Sequence, residues 1–206
     1  MPTSPTALTG AIRSIWTTLR SDLPELPDAQ ISVVPTPPPA DHGPERWSLI
    51  DDRLQNLTIS SETVAGGPEE VLTTLLHEAA HVLNWIRGEQ DTARRGAYHN
   101  GVFEKAAETV GLTRPEGTPR DANRGFVGQI LSDEARERHA ASVTLLDEII
   151  PAALSSLPPT RTGPKRKNQG RTSAQCKCEP PRTFSIAEST LNLGPIVCGV
   201  CKGSFT

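Results

Sequence analysis

The stretch Leu75-Leu76-His77-Glu78-Ala79-Ala80-His81 sets two imidazoles four residues apart, with a carboxylate beside the first. An α-helix turns about 100° per residue, so positions 77 and 81 project from one face and their ring nitrogens can converge on one ion. Glu78 lies close to that line but off it, where it can take a proton from an attacking water as a general base does. The combination is the chemistry of a metal-dependent hydrolase, and of a peptidase in particular. The flanking residues argue against a pair of surface histidines. Val71, Leu72, Leu75, Leu76, Ala79, Ala80, Leu83 and Ile86 recur at steps of three and four, so the motif is set within a core helix.

That helix carries its own start and stop. Gly66-Gly67-Pro68 breaks the chain, Pro68 suits a first helical position, and Glu69 and Glu70 face the positive end of the dipole. Gly88 is a C-terminal stop, giving a predicted helix of roughly 68 to 87.

A catalytic zinc usually has three protein ligands and one open position. A third ligand six residues after His81 is excluded, because that residue is Arg87. His99 is a candidate, standing just before a second amphipathic helix whose apolar face is Val102, Phe103, Ala106, Ala107, Val110 and Leu112 and whose start Asn100 can cap. Glu104 and Glu108 on that helix compete, since a glutamate on a following helix can also complete such a site. Tyr98, the only tyrosine, is a candidate donor to a developing oxyanion; Arg94 and Arg95 read as loop charges.

Taken together, His77-Glu78-Ala79-Ala80-His81, Tyr98-His99-Asn100-Gly101-Val102-Phe103 and Ala106-Ala107-Glu108-Thr109-Val110-Gly111-Leu112 resemble the SprT-like metalloprotease family, which includes the eukaryotic protease Spartan. The resemblance covers about residues 8 to 157 and, more weakly, the cysteine-bearing tail; Asn-Gly-Val stands where the family usually has Gly-Pro-x. It implies an α+β, zincin-like domain with a small sheet packed on the motif helix. It also implies catalytic zinc on His77, His81 and His99, Glu78 as the catalytic base, and protein substrates that include DNA-associated ones. The segment around Thr58 to Glu62 is, by the same resemblance, a candidate edge strand for pairing with a substrate backbone.

The rest of the chain fits one domain with an appendage. Ala7 to Arg20 reads as an amphipathic helix through Leu8, Ile12, Ile15, Trp16 and Leu19. Ile31 to Val34, Trp47 to Asp51 and Leu54 to Ser60 read as strands. A helix is predicted from about 133 to 154, capped by Ser132, with Val143, Leu146, Ile149 and Ile150 inward; His139 on it reads as solvated or packed, and His42 as a loop histidine. Arg13 interrupts any signal-peptide core, and no run approaches the roughly 20 apolar residues that span a bilayer, so a cytoplasmic protein is expected.

All four cysteines lie in the tail, as Cys176-Lys177-Cys178 and Cys198-Gly199-Val200-Cys201. In a reducing compartment they read as a zinc ribbon, whose four thiolates close the coordination sphere around a structural ion. Two zinc ions, one catalytic and one structural, are therefore expected. Three segments follow: a metalloprotease domain at 1 to 157, a basic flexible linker at 158 to 174, and the ribbon at 175 to 206. Residues 161 to 206 hold eight Lys and Arg against two Glu, a formal +6, while the remainder carries −9 within a total of −3. Lys165, Arg166, Lys167 and Arg171 are candidate contacts to a nucleic-acid backbone, and only Phe184 and Phe205 are present for stacking on bases. Two other readings stay open: a non-catalytic zinc-dependent module that binds nucleic acid or protein, and a phage-type regulator peptidase that cleaves one repressor.

Overall fold

The computed structural model describes residues 5–35, 46–94, 96–156 and 171–205. They form two compact units, one up to Thr160 and one from Arg161. The fold is mixed α and β: seven helices and four small sheets among the described residues. No helix among them is long and apolar enough to cross a membrane.

The first unit begins with α1 (Pro5–Asp22), whose Leu8, Ile12, Ile15, Trp16 and Leu19 are all buried, as the spacing of three and four predicts. The Trp16 indole Nε1 donates to Pro27 O at 3.0 Å, tying the helix to the start of β1 (Asp28–Val34). β2 (Leu49–Ile50) and β3 (Arg53–Ser60) form a hairpin closed by Asp51 and Asp52, both at positive φ, as a two-residue turn of matching twist requires. β3 is central, parallel to β1 on one side and antiparallel to β2 on the other. Ala29 faces Leu54 and Ile31 faces Leu57, so β3 carries one extra residue, with Asn56 at φ 65. That bulge explains why Leu54 and Leu57, three apart, are both buried.

The segment expected as a substrate-facing edge is strand only as far as Ser60: β3 pairs with β1 on one side from Leu57 to Ser60, while on its other side β2 pairs with it at Arg53 and Leu54. The Ser60 hydroxyl accepts from Thr63 N at 3.0 Å and starts α2 (Ser61–Ala65), so Ser61 and Glu62 are helical.

α3 (Pro68–Ile86) is the motif helix, with Pro68 at its first position and eleven buried residues from Val71 to Asn84. Its end is a Schellman turn: Gly88, at φ 69, donates to Trp85 O at 3.1 Å, and Glu89 N donates to Asn84 O at 2.8 Å. The chain then makes the ribbon of β4 (Thr92–Ala93) and β5 (Tyr98–His99), followed by α4 (Gly101–Thr109). The Asn100 carboxamide caps α4, accepting from Val102 N at 2.8 Å and Phe103 N at 3.3 Å.

β6 (Leu112–Thr113) pairs with β7 (Ile130–Leu131), and Ser132 caps α5 (Asp133–Arg138) as expected. The predicted single helix is in fact two. α5 ends at His139, whose ψ of 10° leaves helical geometry, and α6 (Ala140–Ser156) resumes after it. The His139 side chain at the break is buried, 1% exposed, the packed one of the two positions expected for it. Leu146 and Ile150 are buried, with Val143 and Ile149 packed beside them.

The second unit pairs β8 (Arg171–Gln175) with β9 (Thr183–Ala187), followed by the single turn of α7 (Glu188–Leu191). Arg171 to Ala174 are therefore ordered by pairing with β9, where a flexible linker was expected to continue to 174. Lys165, Arg166 and Lys167 lie outside the described residues, as do His42 and Arg95.

Candidate metal centres

α3 brings His77 and His81 onto one face, and β5 supplies His99. The His81 Nε2 lies 3.2 Å from His77 Nε2 and 3.1 Å from His99 Nε2, so three ring nitrogens meet at one point. Imidazoles holding one tetrahedral ion at about 2.0–2.1 Å stand about 3.3–3.4 Å apart, close to these separations. Phe103 of α4 floors the cluster, its ring 4.8, 4.5 and 4.3 Å from those of His77, His81 and His99.

A buried network fixes the ligands from behind. Asp91 Oδ2 accepts from His81 Nδ1 at 2.6 Å and from Asn84 Nδ2 at 3.1 Å. A carboxylate at Nδ1 places the ring proton there and leaves Nε2 as the electron-pair donor, which is the tautomer a metal ligand needs. The Asp91 backbone is itself pinned, its carbonyl accepting from Asn100 N at 3.0 Å. His99 is held through its main chain: its N–H donates to Arg124 O at 2.9 Å, and its carbonyl accepts from Phe126 N at 3.1 Å. Between those two bonds Gly125, at φ 72, passes so close that a Cβ there would stand 1.9 Å from His99 O. Burial pushes the His99 imidazole below its usual pKa, with Asp91 opposing, and so favours the neutral ligand form.

Glu78 is 7% exposed, and its Oε2 lies 2.9 Å from Arg46 Nη2. Burial raises its pKa above the ordinary carboxylate value, while the Arg46 guanidinium pulls the other way.

The competing ligands stand elsewhere. Glu104 pairs with Arg114 at 3.0 Å, and Glu108 lines a separate hollow with Arg114 and Thr118. Successive strand residues point to opposite faces, so the turn of β5 that aims His99 at the pair aims Tyr98 away from it. The Tyr98 ring is instead flanked by guanidiniums, Arg94 at 4.9 Å and Arg120 at 5.0 Å.

In the second unit Cys176, Cys178, Cys198 and Cys201 gather into a group that could hold a metal ion, and none is in a disulfide. Cys178 Sγ lies 3.8 Å from Cys198 Sγ. Thiolates bound at about 2.3 Å to one tetrahedral ion stand about 3.8 Å apart, so the spacing fits. The amides of Cys201 and Val200 draw the Cys198 thiol down to about 6, toward the thiolate that ligates metals. Cys198 N donates to Gly203 O at 2.9 Å, closing the knuckle loop. The tight Cys176-Lys177-Cys178 spacing is accommodated because Cys176 sits at the end of β8, its N–H bonded to Arg182 O at 3.1 Å.

Sequence reasoning missed Asp91, Asn84, Gly125 and Arg46. Asp91 had one available signal, an acidic residue in the short loop between the histidine helix and the third histidine, where a partner for a ligand would be sought. No protein-family model matches this chain, no curated protein matches it, and no solved structure matches it.

Proposed function

We propose that this protein is a zinc-dependent endopeptidase of SprT-like type, with a zincin-like first unit and a zinc ribbon as its second. The observation that carries the reading is the convergence of His77, His81 and His99 Nε2 beside the buried carboxylate of Glu78. All-nitrogen ligation by three imidazoles suits Zn²⁺ and leaves a fourth position open, whereas the four thiolates of the second unit close theirs. A zinc ion held by the histidines supplies the positive charge that polarises a scissile carbonyl and acidifies the attacking water.

The chain's own residues do the rest. Glu78 takes the proton of the attacking water and returns it to the leaving amine nitrogen. A carboxylate whose pKa is lifted by burial releases that proton more reluctantly than an exposed one, which suits a group acting as base and then acid. Asp91 keeps the His81 proton on Nδ1 through both steps. The second unit serves as a positioning module, and the formal +6 over residues 161 to 206 suits the phosphate backbone of nucleic acid, consistent with substrates bound to DNA.

The test is Glu78→Gln. It should abolish cleavage of an unfolded protein substrate while retaining the metal content of the wild type; undiminished turnover would refute the assignment. A non-catalytic metal module would show no cleavage in either protein.

A further inference from the structure

We propose that Arg46 is a positioning residue for Glu78, holding Oε2 so that Oε1 is the oxygen that accepts the proton. The inference rests on the peptidase reading. A glutamate side chain has three rotatable bonds, and a general base must stay within about 2.6–3.2 Å of the proton it takes. The helical neighbours of Glu78 at 74, 75, 81 and 82 are Thr, Leu, His and Val, none of them a counter-charge placed to hold its carboxylate by an ion pair. The restraint comes from a distant part of the chain. Arg46 lies just before β2, and its Nη2 reaches Glu78 Oε2 at 2.9 Å, with side-chain exposures of only 13% and 9%.

The guanidinium is fixed in turn. It lies 4.5 Å over the ring of Trp47, which is 6% exposed and belongs to the core cluster. A planar cation stacked on a buried indole cannot swing freely, so its charge stays beside the carboxylate. The base is thus aimed by a residue 32 positions upstream in the sequence, through a buried ion pair anchored to the hydrophobic core.

The experiment compares wild type, Glu78→Gln, Arg46→Met and Arg46→Lys as the full chain loaded with zinc, using fluorescently labelled casein. Arg46→Met should lower kcat by about 10- to 100-fold, the usual cost of misplacing a reacting group, with KM within about twofold. Arg46→Lys should recover part of the loss, since it restores the charge without the planar fork. A second readout needs no turnover: the urea midpoint of Arg46→Met should fall in the wild-type background and fall far less in Glu78→Gln, whose neutral amide needs no counter-charge. Retained or increased kcat in Arg46→Met, or equal midpoint shifts in both backgrounds, would overturn the proposal. A wild type as inactive as Glu78→Gln would remove the peptidase reading and this proposal with it. That failure is told apart because it leaves the denaturation cycle unchanged.

Discussion

The histidine cluster and the cysteine cluster both gather ligands on one point, yet the protein around them differs in kind. His77, His81 and His99 stand on a floor of buried Phe103, and the helix that carries the first two is part of a core that runs from α1 to α6. In the second unit the buried apolar set among the described residues is Ala174 with Cys176 and Cys198. Leu193, Val197 and Val200 are there too, but 87%, 55% and 60% exposed. In the first unit the fold holds the site; in the second the site holds the fold. A module of this size cannot bury enough apolar surface to offset its chain entropy, so its ligands must act as its core.

Metal removal is the sharpest way to break that comparison. Stripping the full chain with a strong chelator should unfold residues 171–205, because on the order of 10 kcal/mol of folding energy leaves with a structural zinc. The first unit should keep its helices, since its core is independent of the ion. Amide NMR dispersion, read separately for the two units, checks this. A second unit that stayed folded after the metal had gone would mean that the hairpin of β8 and β9 is self-sufficient, and the contrast would be lost.

Gly125→Ala attacks the other half. A Cβ 1.9 Å from His99 O cannot be accommodated by a side-chain rotation, because the atom it meets is backbone. The φ of 72° adds the cost of a left-handed residue, about 1–2 kcal/mol, so the loop carrying Arg124 and Phe126 must move and release His99. On the proposed reading that both groups hold an ion, the metal content should fall from two per chain toward one, with the cysteine group serving as internal reference. A variant that kept both ions at wild-type affinity would show that His99 is positioned by β4 alone.

The helix that decides the site was legible because everything it needs is local. His77, His81, the apolar stripe, Pro68 and the Gly88 stop all lie within 21 residues, and periodicity reports them directly. The Cys176, Cys178, Cys198 and Cys201 grouping was legible for a different reason, that thiols in two short pairs have few other uses. Arg46, Asp91 and Gly125 were not, because each acts through a contact whose geometry arises only after folding. Arg46 reaches Glu78 across the gap between the β2 hairpin and α3, and Gly125 matters through a backbone approach that leaves no pattern in neighbouring side chains. The bulge at Asn56 was hidden likewise: a strand that shifts its facing residues by one looks like broken alternation until its partner is known.

His139 offers the smallest and most discriminating test, since it shows what the first unit's core can absorb without a metal. His139 is 1% exposed, and neither ring nitrogen has a hydrogen-bond partner among the described residues. Burial lowers its pKa, the Arg138 charge lowers it further, and Asp22, ion-paired with Arg138 at 3.6 Å, opposes both. The folded state therefore binds this proton less readily than the unfolded chain, whose histidine titrates near about 6.5. As pH falls below that value the unfolded state gains the proton first, and stability drops until the folded pKa is passed. His139→Leu, close in volume and unable to ionise, should remove this component of the acid dependence. It should also add about 1 kcal/mol at neutral pH by replacing an unsatisfied polar group. Urea midpoints of both proteins between pH 5 and 8 measure the difference, in which titrations common to the two cancel. Parallel curves would show that the ring titrates alike in the folded and unfolded states, as a solvated one does. Converging curves at high pH would confirm that the core of this unit carries a buried imidazole on its own margin, which a unit built around its ligands could not do.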